Sequence, residues 1–229
     1  MNLFVLYKIV DSDTVRDLLL DGNIRFRPLK YFAKYENSEG EKRGDKEEGA
    51  SAVFSKNSIP KTAVIKFGDH VVNNDAIISA VFHNKYDLVN RYVYCFGAIY
   101  AENSIEVDKN GNPTANTMKF YKDEFPSGKH VIAFLGNNIK HFFERIDKKI
   151  VKYDDACRRF VLYTDTSTRA PGFEKSKDFI NQNEYRVMFS HDEAEYVDIH
   201  IGSLIDIAHV YTLDEFDQLL NDIQITPIL

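Results

Sequence analysis

The chain opens on apolar and β-rich positions at 3–10, a pattern that predicts a first strand. Asp11, Ser12 and Asp13 then offer capping side chains. Val15, Leu18 and Leu19 recur at helical spacing, and Gly22 is placed to end the turn. Residues 23–27 (Asn-Ile-Arg-Phe-Arg) alternate polar with apolar until Pro28, so the pattern returns to a strand. No apolar side chain occurs from 36 to 49, which predicts a solvated loop that buries nothing and is dispensable for folding. Residues 50–67 read as two strands joined by a turn at 57–60, residues 75–82 as helical or irregular, and 91–100 as a strong strand. Asp-Lys-Asn-Gly-Asn at 108–112 has the composition of a calcium loop but lacks the twelve-residue ligand pattern. Asn-Gly at its centre points to a tight hairpin turn instead.

A strand at 130–135 precedes an amphipathic helix at 138–147, with Ile139, Phe142, Phe143 and Ile146 on one face. Further strands are expected at 159–163, 179–189 and 196–201, the last two joined by a turn at 191–193. A polar loop covers 164–177, Val210 and Tyr211 close the sheet, and Asp214 begins a terminal helix at 213–220. Strands outnumber helices and bunch together, and no linker, repeat or low-complexity tract divides the chain. The expected fold is α+β: one domain over 1–229, a mixed, mostly antiparallel β-sheet core with flanking helices.

Composition narrows the function classes. With 229 residues, 44% hydrophobic and 28% charged, the chain has material for a sizeable core without disulfide or metal staples. Its two cysteines, Cys95 and Cys157, sit among apolar or aromatic neighbours and are expected to be buried and reduced, as in a reducing cytosol. No secretory signal or membrane span is visible, so the expected location is cytoplasmic with no membrane partner. A net charge of −6 argues against a generic nucleic-acid coat. Lys and Arg cluster at 25–34 and 145–159, where a local basic groove competes with an ordinary solvated surface.

The common phosphate-binding loops, zinc motifs and nucleophile elbow are missing, and the histidines are scattered. One constellation remains. Gln182-Asn183-Glu184-Tyr185-Arg186 lies within the expected 179–189 strand, where alternation puts Gln182, Glu184 and Arg186 on one face. A carboxylate there can accept a hydrogen bond from a sugar hydroxyl and stabilise a developing oxocarbenium ion, while a neutral amide orients the nucleophile. The competing reading is structural, with Glu184 paired to Arg186 or to Arg25.

Gln182-x-Glu184, following a loop that carries Phe173 in Ala-Pro-Gly-Phe-Glu-Lys, resembles the Q-x-E motif and preceding loop of ADP-ribosyltransferases. The opening strand–helix–strand also resembles the start of that fold. The resemblance implies NAD as a substrate held between the first strands and the Gln182/Glu184 segment. Glu184 would face the nicotinamide ribose and Gln182 would position the acceptor. Arg25 or Arg27 would hold the pyrophosphate, and Tyr31 or Phe32 would stack on nicotinamide. The first strand carries Tyr7 and Lys8 where those enzymes place Arg or His, and the nearest Ser-Thr-Ser analogue is Thr166-Ser167-Thr168, late in the chain. The implied acceptor is a macromolecule, with a nucleobase in RNA or DNA among the candidates, in a toxin or phage-conflict setting.

Residues 24–32, then Arg43-Gly44-Asp45-x-x-Glu48-Gly49 and Glu184-Tyr185-Arg186, also resemble an uncharacterised group of bacterial and phage proteins, which implies no activity. Two other functions stay open. One is a non-enzymatic module that binds a partner protein or antitoxin through the acidic 36–49 loop. The other is a carboxylate-metal nuclease using Glu36, Asp45, Glu47 and Glu48.

Overall fold

The structure is a computed structural model that describes residues 3–34, 45, 47–55, 65–67, 69–72, 79–100, 105–107, 109–110, 113–116 and 119–223. Its elements, in order, are β1 (Leu3–Val10), α1 (Asp13–Leu20), β2 (Asn23–Pro28), α2 (Leu29–Lys34), β3 (Ala50–Ser55), β4 (Ile65–Phe67), β5 (His70–Val72) and β6 (Ser79–His83). There follow α3 (Lys85–Asn90), β7 (Arg91–Tyr100), β8 (Ile105–Val107), β9 (Pro113–Asn116), β10 (His130–Leu135), α4 (Asn137–Ile150) and β11 (Asp154–Phe160). The chain ends with β12 (Leu162–Thr164), β13 (Glu174–Ser176), β14 (Glu184–Ser190), β15 (Val197–His200), β16 (His209–Tyr211) and α5 (Leu213–Asp222). The fold is α+β, built on a mostly antiparallel sheet. None of the described helices is long and apolar enough to cross a membrane.

Local chemistry explains several boundaries. The Ser12 hydroxyl accepts the Val15 N–H at 3.3 Å and starts α1. Thr212 and Glu215 form a reciprocal capping box on α5, so the cap lies two residues before Asp214. In α4, Ile139, Phe142, Phe143 and Ile146 are all buried, as their spacing requires.

The main sheet runs β11-β14-β7-β1-β10-β16, and β2, with β15 beside it, also joins β7. On one edge of β7, β14 pairs continuously from Glu184↔Gly97 to Ser190↔Arg91. The other edge is shared. β1 pairs with its far end through Tyr7↔Gly97, and β2 takes Val93 and Tyr92. Between them the two strands diverge, and the Lys8 ammonium donates to the Cys95 carbonyl at 2.8 Å.

Side-chain parity divides the core. Leu6, Phe96 and Val187 face the large cluster that α4 covers. Their strand neighbours face the opposite way and form two smaller apolar clusters. One is under α5 around Val5, Tyr7 and Phe216, and the other lies around Leu29, Val93, Phe173 and Met188. Gly97, Glu184, Cys95 and Arg186 share this second face with them, and there the polar site is built.

Several expectations need correction. Residues 79–83 form a strand, β6, that pairs antiparallel with β3, so the 50–67 hairpin does not form as expected, and its turn at 57–60 lies outside the described residues. Residues 159–163 straddle two strands, and β15 pairs with β2 rather than with β14. Long-range pairing decided these cases, and a window of local sequence does not encode it. The 108–112 turn lies partly outside the described residues, though β8 and β9 pair antiparallel around it. Cys157 is exposed, since the first six residues of β11 all face solvent on the sheet's outer edge.

Candidate functional site

Glu184 is the first residue of β14, and Gln182 ends a 3-10 turn, Lys177–Gln182. Asn183 between them is left-handed, at φ 44° and ψ 50°. The alternation argument for Gln182 therefore fails, because no strand runs through residue 182. The two side chains meet by another route. Lys175 on β13 donates to Gln182 Oε1 at 2.9 Å and to Glu184 Oε1 at 2.8 Å. β13 pairs in parallel with β12, whose Tyr163 hydroxyl accepts the Glu184 backbone N–H at 2.9 Å. The small β12–β13 ladder thus grips both ends of Glu184. β13 lies in the stretch expected to be a polar loop at 164–177, and Lys175 is only 2% exposed.

Arg186 completes the network. Its Nε donates to Glu184 Oε2 at 2.7 Å, and its two terminal nitrogens reach Glu48 Oε1 and Oε2, each at 2.7 Å. Nη1 also meets the Gly172 carbonyl at 2.8 Å. This is a bidentate fork between groups 138 residues apart, both buried. The Glu48-Gly49 and Glu184-Tyr185-Arg186 motifs are thereby two halves of one contact. Gly49 follows at φ +70°, and a Cβ there would press on Leu29 and Leu88 at 3.2 Å.

The 36–49 stretch is therefore not the featureless solvated loop that its composition predicts, since Asp45 and Glu48 are both buried. Residues 36–44 and 46, Glu36 included, lie outside the described ones. Sequence reasoning missed Lys175, and it named Glu48 as a metal ligand rather than as the partner of Arg186. One signal was present: Arg186 is a lone charge in the apolar run Tyr-Arg-Val-Met-Phe, which demands a buried partner. Two of the four candidate nuclease ligands are already engaged. Both Glu48 oxygens hold Arg186, and Glu47 holds Arg169 at 2.7 Å. Among the described residues no group of three or more His, Cys, Asp or Glu is placed to hold a metal ion.

Burial alone would push the Glu48 and Glu184 carboxyls up. Arg186, followed by Lys175, outweighs it and holds both below the usual carboxylate range. Asp45 goes the other way and is raised by burial, with Oδ2 lacking a partner and Oδ1 accepting the Glu47 N–H at 2.8 Å. Burial lifts the Cys95 thiol to about 12, so it is no thiolate nucleophile at neutral pH.

These groups line a cleft of about 390 Å³ at the split between β1 and β2, within the range of ~300–1,000 Å³ typical of small-molecule sites. Tyr7, Tyr31, Phe32, Gln182 and Glu184 all border it, and so does Lys8. Gly97 is needed here, since a Cβ would lie 2.1 Å from Tyr7 Cζ. Arg25 and Arg27 are not among the lining residues. Arg25 pairs with Asp198 at 2.8 and 2.9 Å, and Arg27 with Glu195 at 3.2 Å, on the β2–β15 surface. The Thr166-Ser167-Thr168 segment hydrogen-bonds to β3 instead of entering the cleft. Compared with family models, curated proteins and solved structures, the chain matches none.

Proposed function

We propose that the chain is an ADP-ribosyltransferase that takes NAD as its substrate in this cleft. The observation that carries the reading is the convergence of Tyr7, Tyr31, Phe32, Gln182 and Glu184 on one cleft from β1, α2, the turn before β14 and the start of β14. Tyr31 and Phe32, which line it, form an edge-to-face aromatic pair with ring centroids 5.4 Å apart, suited to stack against a nicotinamide ring. Of Lys8, Arg25 and Arg27, Lys8 is the one that borders the cleft, and this reading assigns the diphosphate to it.

In the reaction the ribose–nicotinamide bond breaks and nicotinamide leaves with the electron pair. The acceptor nucleophile bonds to the ribose carbon and releases its proton to solvent. Glu184, held ionised, faces the cationic ribose, and Gln182 orients the acceptor. A carboxylate has about four acceptor sites, so the bonds from Lys175 and Arg186 do not exhaust it. The acceptor in this reading is a macromolecule, with a nucleobase in RNA or DNA among the candidates, and the setting is a toxin or phage conflict in the cytoplasm.

A second reading is favoured by one observation: both Glu184 oxygens are already engaged, as in a purely structural ion pair. The chain would then be a module that binds a partner protein or antitoxin. Labelled NAD with separate pools of RNA, DNA and protein separates the two. The first reading expects label transfer, and expects Glu184→Gln to lose ~10²–10³ in rate while the fold is kept. A lowered melt in Glu184→Gln, with no NAD consumed by the unmutated chain even in cell extract, overturns it and supports the second.

A further inference from the structure

We infer that Lys175 is the positioning residue of this site, locking Gln182 and Glu184 into one arrangement so that they act as a unit. The inference rests on the NAD reading for its kinetic consequence, though not for its structural one. Gln182 and Glu184 flank a left-handed residue, so backbone alternation does not hold them on one face. What joins them is one ammonium, 2.9 Å from the amide oxygen and 2.8 Å from the carboxylate. An ammonium can only donate, so it dictates which end of the Gln182 amide turns towards it. It also fixes Glu184 Oε1 while Arg186 fixes Oε2.

Lys175 is an expensive way to fill space. Burying a lysine costs several kcal/mol of desolvation, and an apolar residue of similar volume often serves stability as well. Glu48 already takes two bonds from Arg186, and Lys175 stands farther off, 3.7 Å from Glu48 Oε2. The shorter bonds of Lys175 go to the two residues that face the cleft. Its own position is fixed by the β12–β13 pairing and by the Phe179 ring, 4.8 Å from the ammonium. The titratable and charged groups around Glu184 are, besides Lys175, Arg186 on its own strand, Glu48 before β3, Cys95 of β7 and Tyr163 of β12, while Asp45 acts on Lys175.

The test uses the full chain and the variants Lys175→Met and Lys175→Arg. NAD consumption is followed against pH, together with NMR of the Gln182 side-chain amide and the Glu184 carboxyl, assigned by their loss in Gln182→Ala and Glu184→Gln. Lys175→Met is expected to lower kcat by ~10²-fold, the cost typical of a small misplacement. KM for NAD should stay within about threefold, since ground-state binding is not what is lost. The acid limb of the kcat profile should move to higher pH, because Glu184 loses one of its two cations. Lys175→Arg should recover part of the rate. The Gln182 amide signals should shift and the Glu184 titration should move up in Lys175→Met even if the unmutated chain consumes no NAD; that outcome ends the transferase reading while upholding the positioning role. A folded Lys175→Met with both NMR signatures unchanged overturns the inference. If Lys175→Met does not fold, Lys175→Met/Glu184→Gln removes the stranded charge. Gln182 amide signals identical to those of Glu184→Gln alone would then overturn it.

Discussion

Glu48→Leu tests the claim that the end of the polar 36–49 stretch is part of the core. Glu48 and Arg186 are 1% and 2% exposed and joined by two bonds of 2.7 Å. Removing one partner of such a pair leaves a buried charge and costs ~3–5 kcal/mol. Arg186 would keep Glu184 and the Gly172 carbonyl, so the lower end, about 3 kcal/mol, is expected. At roughly 2–4 °C per kcal/mol for a chain of this size, the melting point should fall by about 6–12 °C. Arg186→Met should be worse, because it leaves Glu48 and Glu184 with Lys175 alone. The double variant Glu48→Leu/Arg186→Met should recover stability relative to Arg186→Met, because Lys175 and Glu184 then remain as a matched pair. Urea denaturation of the four proteins measures this coupling. The reasoning is refuted if Glu48→Leu costs less than ~0.5 kcal/mol with an unchanged slope, or if the two single costs simply add.

The same network sets a pH dependence. Glu48 and Glu184 are held below their ordinary value of 4.5, so their contribution is complete above that pH and is lost as the pH falls through their folded values. Asp45 is raised and partly opposes this, favouring the fold when protonated. Stability by urea denaturation should be level from neutral pH to about 5 and fall below about 4.5, less steeply in Glu48→Leu; a fall beginning above pH 6 would contradict this. Gly97→Ala should cost ~1–3 kcal/mol by overpacking, since its Cβ meets the Tyr7 ring. Tyr7 should also move in the cleft, detectable as a changed Tyr7 ring environment by NMR, and a neutral Gly97→Ala would mean that the ring has room. Phe142→Ala on α4 should cost ~3–5 kcal/mol and Ile146→Ala ~2–5 kcal/mol, as both are fully buried; melts unchanged in both would show that the helical period was misassigned.

The sequence by itself determined the elements whose burial follows a local period. β1, α1, β2, β10, α4 and α5 all stand close to where apolar spacing and caps predict them. The helices and β2 each present one apolar face to the core, β1 and β10 are apolar on both faces, and nothing distant is needed to recognise any of them. Gln182 and Glu184 were also legible as a pair, but by alternation along a strand that does not exist at residue 182. Only the tertiary structure decided that Asn183 turns left-handed and that Lys175 brings the two together. It also decided that β3 pairs with β6, that β2 pairs with β15, and that Glu48 sits on Arg186. Arg25 and Arg27 read as ligand-binding cations until β15 supplied Asp198 beside one and Glu195 preceded it beside the other. The physical reason is common to these cases. A charged side chain in a polar stretch looks solvated in any local window, and its burial becomes favourable only when a partner of opposite charge arrives from far along the chain.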